Sequence, residues 1–97
     1  MAFVVAAIWK AKEGEERRVE EVIRKLTPLS RAEEKNLQYQ AHVSPEDPRT
    51  FFLYEQYVDA DGYEAHKAAD YFQENVFNYI FEYLEKREVQ TYDTLDV

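Results

Sequence analysis

Apolar and polar positions mark three strand segments in the first two thirds of the chain. The segment from Phe3 to Lys12 is apolar on both faces, which predicts a strand covered on two sides, and Gly14 allows the turn after it. Leu37 to Val43 alternates apolar and polar residues, which predicts a strand with one polar face. The aromatic-rich segment from Phe51 to Val58 predicts a third strand, joined to the second by a proline-containing turn over residues 44–50.

Helical spacing of apolar residues predicts a first helix between the first two strands. From Glu15 to about Ala32, apolar residues recur every three or four positions and form one stripe. Pro28 lacks an amide proton, so we expect a kink or a restart of the helix there. Asn36 tolerates a positive φ angle better than most residues, and we expect it to end the segment in that conformation.

Two further helices and a last strand are predicted after the third strand. Asp59 is a suitable N-cap for a short helix from about Ala60 to Ala68. Asp70 is expected to cap a longer helix that reaches about Glu85, because apolar and aromatic residues repeat at helical spacing over this segment. The segment from Arg87 to Tyr92 predicts a short final strand.

The predicted order of elements is β-α-β-β-α-β. This order indicates an α+β fold of the ferredoxin-like class, with a four-stranded antiparallel sheet and helices on one face. At 97 residues, the chain is expected to form a single domain over residues 1–97. The other sheet face is also apolar, in strands one and three especially, so a monomer would leave it bare. Two such faces packed together predict a homodimer, a dimeric α+β barrel.

Composition and charge exclude several classes of function. The formal net charge of −8 would repel a phosphate backbone, so no nucleic-acid partner is expected and RNA binding through this fold is disfavoured. The absence of cysteine excludes disulfides, zinc–thiolate sites and a cysteine nucleophile, and a cytoplasmic location fits it. No apolar run approaches the ~20 residues of a membrane span, and the N-terminus does not resemble a secretory signal. The two histidines lie far apart in sequence, so no metal site is expected.

The most specific pattern lies in residues 51–72, FFLYEQYVDADGYEAHKAADYF. It combines a strand ending in Leu-Tyr-Glu-x-Tyr, an acidic turn, Ala-His, and a short linker to an aromatic residue. Supporting patterns are Lys-Glu-Gly after the first strand, Arg-Ala-Glu at residues 31–33 and Leu-x-Tyr at residues 37–39. Together these patterns resemble the antibiotic biosynthesis monooxygenase family over nearly the whole chain.

The resemblance implies a dimer of ferredoxin-like protomers and, as in some members, cofactor-independent oxidation of quinols. We therefore predict an oxidoreductase, a monooxygenase acting on a small aromatic or quinol-like compound, with dioxygen as co-substrate and no cofactor. Haem-degrading members carry an Asn on strand one, a Trp on strand three and a His on the last helix. The corresponding positions here are Ala7 and Tyr57, and no His follows Asp70, so haem is not expected. The alternative is a non-catalytic dimeric protein that binds small apolar ligands or is associated with stress.

His66 is the strongest candidate for a catalytic residue. An ordinary pKa of about 6.5 lets an imidazole accept a proton near neutrality, here from a phenol or quinol. Glu55 lies among apolar neighbours, and it would either orient His66 or pair with a cation such as Arg87. The alternative for His66 is a structural contact to Glu55 or to a backbone carbonyl. The aromatic residues predicted to line the substrate pocket are Tyr57, Tyr39, Trp9, Tyr71 and Phe72.

Overall fold

The computed structural model describes all residues from Met1 to Val97. The strands are β1 (Phe3–Ala11), β2 (Asn36–Val43), β3 (Thr50–Tyr57) and β4 (Leu84–Asp93), and the helices are α1 (Glu16–Arg31), α2 (Ala60–Ala68) and the single turn α3 (Asp70–Phe72). A π-helical turn (Gln73–Phe77) and a 3₁₀ turn (Ile80–Tyr83) connect α3 to β4. No helix combines the length and the apolar composition needed to cross a membrane.

The four strands form one antiparallel sheet in the order β2-β3-β1-β4. This confirms the predicted ferredoxin-like arrangement. Strand β1 is central and pairs with both β3 and β4; Ala7, for example, lies opposite Leu53 on one side and Val89 on the other. Its central position explains why β1 is apolar on both faces, since helices cover one face and neighbouring side chains shield part of the other.

The hydrophobic core lies between the helices and one face of the sheet. Helix α1 contributes the apolar stripe that its spacing predicts, with Leu26 and Val19 fully buried. Leu29, two residues before the end of α1, belongs to the same stripe but is 41% exposed. The sheet contributes side chains of β1 and β3, and Val76 and Ile80 close the core from the turns before β4. Full burial of each such side chain stabilises the fold by about 1.5–3 kcal/mol.

The opposite sheet face carries no helix and has an apolar centre. Ala6 and Ile8 of β1 lie there beside Tyr54 and Phe52 of β3, their register partners. Phe52 is 36% exposed. The alternation of β3 places Phe52 and Tyr54 on this face and Glu55 and Tyr57 on the helix side. The homodimer through this face stays a prediction.

The segment after Asp70 differs from the long α-helix that its apolar spacing predicts. Regular α-helix ends at Phe72, and the backbone then forms a π-turn closed by a bond from Asn78 N–H to the Gln73 carbonyl at 2.9 Å. Aromatic packing explains the change. Phe72 and Phe77 are five residues apart, a spacing that a π-turn brings onto one side of the backbone. Their rings contact edge to face, with 5.3 Å between the ring centroids. Asp70 does not cap a helix with its side chain, and Ala69 occupies the cap position.

The predicted restart at Pro28 and the predicted positive φ angle of Asn36 are wrong. The helix continues through Pro28 without a restart, because only three helical residues follow and a single backbone hydrogen bond is lost there. Asn36 does not adopt a positive φ angle; it is the first residue of β2, and its N–H donates to the Glu33 carbonyl at 3.1 Å. The only positive φ angle belongs to Gly14, at 83°, where the sequence predicts a turn. Strand β4 is longer than predicted, starting at Leu84.

Candidate functional site

Helix α2 brings His66 over the sheet. Asp59 caps this helix as predicted, its Oδ1 accepting from the Gly62 N–H at 3.1 Å, and the Lys35 ammonium holds the same carboxylate at 3.0 Å. Gly62 lets the first turn of α2 approach the Tyr57 side chain closely, since a Cβ on Gly62 would lie 3.1 Å from the Cβ of Tyr57. His66, one turn further on, is 2% exposed. Its imidazole is therefore fixed between the helix layer and the sheet.

The His66 imidazole lies between two carboxylates. Its Nδ1 lies 2.9 Å from Oε2 of Glu33, the second residue after the end of α1, and its Nε2 lies 3.8 Å from Oε1 of Glu55 on β3. A hydrogen bond from Nδ1–H to the Glu33 carboxylate leaves Nε2 with a lone pair. The ring can then accept a proton at Nε2 while Glu33 stabilises the resulting positive charge.

Glu33 is itself held by a hydroxyl network. The Tyr71 hydroxyl donates a short hydrogen bond to Glu33 Oε2, and it also lies 3.2 Å from the Oγ of the fully buried Ser30. The second oxygen of Glu33, Oε1, is buried without a hydrogen-bond partner. Oε2 therefore carries both contacts, and the Glu33 side chain has one defined position beside His66.

Glu55 is buried on the helix side of β3 and keeps one strong partner. The Tyr57 hydroxyl donates to Glu55 Oε1 at 2.7 Å. Burial raises the pKa of Glu55, while the nearby His66 and the Tyr57 hydroxyl oppose that rise. The predicted alternative, a pairing of Glu55 with Arg87, does not occur, because the Arg87 guanidinium stacks on the Phe81 ring with 3.8 Å between Cζ and the ring centroid.

Aromatic rings surround His66 on several sides. Phe72 is nearest, with 4.7 Å between ring centroids, and four tyrosine rings lie within 6.4 Å: Tyr57, Tyr39, Tyr71 and Tyr63. Burial raises the pKa of all four phenols, that of Tyr63 to about 12. These hydroxyls therefore stay protonated at neutral pH, and proton acceptance in the site is left to the imidazole and the carboxylates.

A cavity of about 260 Å³ opens between the sheet and the segment from α2 to the 3₁₀ turn. His66 and Glu55 form its polar wall, and most of the remaining lining is apolar, including Trp9, Tyr39 and Phe72. Two depressions of about 390 and 680 Å³ elsewhere are more open to solvent and contain neither His66 nor Glu55. No three His, Asp or Glu side chains converge in a manner that would hold a metal ion.

The sequence profile of the antibiotic biosynthesis monooxygenase family matches residues 1–76. The chain belongs to this family. The match includes α1, α2, His66 and both carboxylates beside it, so the imidazole site lies within the part of the chain that defines this monooxygenase family. No curated protein sequence matches the chain significantly.

Several solved structures share this fold. The protein PA3566 from Pseudomonas aeruginosa is 26% identical, with a TM-score of 0.91 and coverage of 97% of this chain and 94% of that one. The protein SO0527 from Shewanella oneidensis is 28% identical, with a TM-score of 0.88 and coverage of 94% and 88%. A protein from Nitrosomonas europaea described by the same monooxygenase name shares the fold, with a TM-score of 0.91 at 22% identity and coverage of 98% and 91%.

Five of the seven site residues singled out from the sequence meet at one cavity. These residues are His66, Glu55, Trp9, Tyr39 and Phe72. The other two, Tyr57 and Tyr71, lie beside the cavity wall without lining it, and their hydroxyls hold the carboxylates of Glu55 and Glu33 instead.

Glu33 is the contact of His66 that sequence reasoning missed. It lies 33 positions away in sequence, in the Arg-Ala-Glu pattern that contributes to the family resemblance. One physical signal was available, because a carboxylate just after the end of a helix faces the negative end of the helix dipole.

Proposed function

We propose that this protein is a cofactor-independent monooxygenase that oxidises a small aromatic, quinol-like compound with dioxygen. The observation that carries the proposal is the buried imidazole of His66, which lies between two carboxylates in the wall of an apolar cavity. The family assignment supports a monooxygenase, and the apolar lining supports an aromatic substrate.

His66 acts as the general base in this proposal. Its Nε2 accepts the proton of a substrate hydroxyl, and Glu33 keeps Nδ1–H in place and stabilises the imidazolium that forms. Glu55, beside Nε2 at 3.8 Å, helps to fix the ring and the approach of the hydroxyl. Tyr39, Trp9 and Phe72 hold the aromatic ring of the substrate.

The deprotonated quinol then reduces dioxygen. One electron passes to dioxygen, and the semiquinone and superoxide combine at a ring carbon to give a hydroperoxide. Loss of water from the hydroperoxide leaves a hydroxyquinone. The sum is quinol plus dioxygen to hydroxyquinone plus water, so one oxygen atom enters the product and the other leaves as water. The substrate supplies all the electrons, and the proposed reaction therefore uses no cofactor.

The proposed assembly is a homodimer in the cytoplasm. The apolar centre of the uncovered sheet face, with Ile8 and Phe52 side by side, supports pairing of two copies. The absence of cysteine fits a reducing compartment.

Oxygen uptake with menadiol tests the proposal directly. The protein-dependent rate, after subtraction of spontaneous oxidation, should fall by about 10²-fold or more in His66→Asn, because general-base catalysis contributes roughly 10²–10⁴-fold. Asparagine keeps a donor for Glu33 but cannot take the proton. The matched control is His42→Asn, since His42 is exposed and does not line the cavity.

Circular dichroism must show that both variants are folded. Equal rates for folded His66→Asn and wild type would refute the general-base role. Binding of menadione without any oxygen uptake would favour the non-catalytic ligand-binding alternative.

A further inference from the structure

Two cationic side chains lie at the edge of the cavity, although the chain has a net charge of −8. Lys67 follows His66 on α2 and is half-buried, and Arg87 lies on β4 and is exposed. They are the only lysine and arginine side chains that line this cavity. Both therefore lie where the cavity meets solvent, while His66 and Glu55 form the buried end.

Arg87 has no carboxylate partner and no hydrogen-bond acceptor. Its guanidinium is fixed by the Phe81 ring, with Cζ 3.8 Å from the ring centroid. By contrast, Arg49 contacts Glu85, Arg24 contacts Glu20 and Arg31 donates to the Tyr39 carbonyl. Stacking holds the guanidinium plane in place and leaves its N–H donors free, which is the geometry that binds a carboxylate through two parallel hydrogen bonds.

Lys67 is held loosely. Its Nζ lies 4.4 Å from the centroid of the Tyr63 ring and 3.1 Å from Oε1 of Glu64, which is mostly exposed. An ion pair between helix positions i and i+3 with an exposed carboxylate contributes little stability, so Lys67 can exchange this partner for a bound anion.

On the basis of the function proposed above, we propose that the substrate carries a carboxylate on its aromatic ring, which Arg87 binds with help from Lys67 at the mouth of the cavity. The ring then lies against Trp9 and Phe72, and its hydroxyl points to His66. The cavity volume of about 260 Å³ lies below the usual range for drug-sized ligands. It accommodates a single ring or two fused rings. The substrate class is thus a hydroxylated benzoate or naphthoate rather than a neutral quinol.

Equilibrium binding of two unreactive ligands tests the proposal without relying on turnover. 2-Naphthoate and 2-naphthamide have the same shape and differ in charge. By titration calorimetry, the wild-type protein should bind the naphthoate at least about tenfold more tightly, which corresponds to about 1.4 kcal/mol. Arg87→Gln should lose that preference and bind the amide as before, and Arg87→Lys should keep part of it.

The control variant is Arg24→Gln, on the outer surface of α1 and away from this cavity, which should bind both ligands like the wild type. Raising the salt concentration should weaken the binding of naphthoate but not of naphthamide. Equal affinities of the wild type for the two ligands, or an unchanged preference in folded Arg87→Gln, would overturn the proposal.

Turnover separates this inference from the proposed reaction. With 1,4-dihydroxy-2-naphthoate and menadiol as substrates, the KM of Arg87→Gln should rise about tenfold for the naphthoate only, with kcat unchanged. Selective naphthoate binding without oxygen uptake would leave the anion site standing and refute the monooxygenase. Oxygen uptake with no preference between the two substrates would support the monooxygenase and refute the anion site.

Discussion

Replacing Glu33 by glutamine removes the charge that holds His66 and changes little else in shape. Oε2 of Glu33 accepts from His66 Nδ1 at 2.9 Å and from the Tyr71 hydroxyl. A hydrogen bond to a charged group contributes about 1.5–3 kcal/mol, against about 0.5–1.5 kcal/mol for a neutral one. Converting two charged bonds to neutral ones would therefore lower the free energy of unfolding by roughly 2 kcal/mol. The Glu33 side chain is 19% exposed and Tyr71 keeps Ser30, so we expect a loss of about 1–2 kcal/mol.

Thermal unfolding and oxygen uptake together measure this effect. For a domain of this size, about 1 kcal/mol corresponds to roughly 4–8 °C in Tm, so Glu33→Gln should melt at least about 4 °C lower. Its kcat with a quinol should fall by about 10²-fold with little change in KM, because a poorly held general base loses its alignment with the substrate. A purely structural role of Glu33 would lower the Tm and leave kcat unchanged.

The neighbouring residue provides the control. Glu34 is exposed and makes no hydrogen bond or ion pair, so Glu34→Gln should match the wild type in both measurements. If Glu33→Gln and Glu34→Gln behave alike, the carboxylate does not position His66, and the assignment of Glu33 is wrong.

Two further predictions concern stability. Burial raises the pKa of Glu55 above its ordinary 4.5. The protonated side chain therefore stabilises the fold fully below about pH 4.5, and this stabilisation is lost as the pH rises through the folded-state pKa. The Tm of Glu55→Gln should therefore rise relative to that of the wild type between about pH 4 and pH 8. A fall in this difference contradicts the raised pKa. In Gly62→Ala the new Cβ would lie 2.8 Å from the Lys35 Cβ and 3.1 Å from the Tyr57 Cβ, so urea unfolding should show a loss of about 1–3 kcal/mol. Stabilisation, as helix propensity alone favours, would mean that α2 can move away from β3 at little cost.

The sheet was predictable because its information is local. In β1 and β3 the side-chain period of two separates two faces, and this parity groups Tyr57 with Glu55 on one face and sets Tyr54 on the other, as the structure has them. The cap of α2 at Asp59 and the turn at Gly14 were predictable for the same reason, since each depends on one residue and its neighbours.

The segment before β4 was not predictable in this way. Its apolar spacing fits an α-helix, but the edge-to-face contacts of Phe72, Phe77 and Phe81 are made across a π-turn and a 3₁₀ turn. Asn36 is likewise a residue type that often ends helices, yet it begins β2 because it pairs with Tyr57 of β3. In both cases the packing of distant parts overrides a local preference.

The sequence by itself determined the order of the elements, which side chains of a strand share a face and the presence of one imidazole on the helix layer. Only the tertiary structure decided that Glu33 holds this imidazole, that Tyr57 and Tyr71 support the carboxylates rather than line the cavity, and that Arg87 lies free at its mouth. The physical reason is range. Backbone periodicity and capping act over a few residues, whereas the contacts of Glu33 with His66 and Tyr71 join side chains 33 and 38 positions apart, and only the packed chain brings them together.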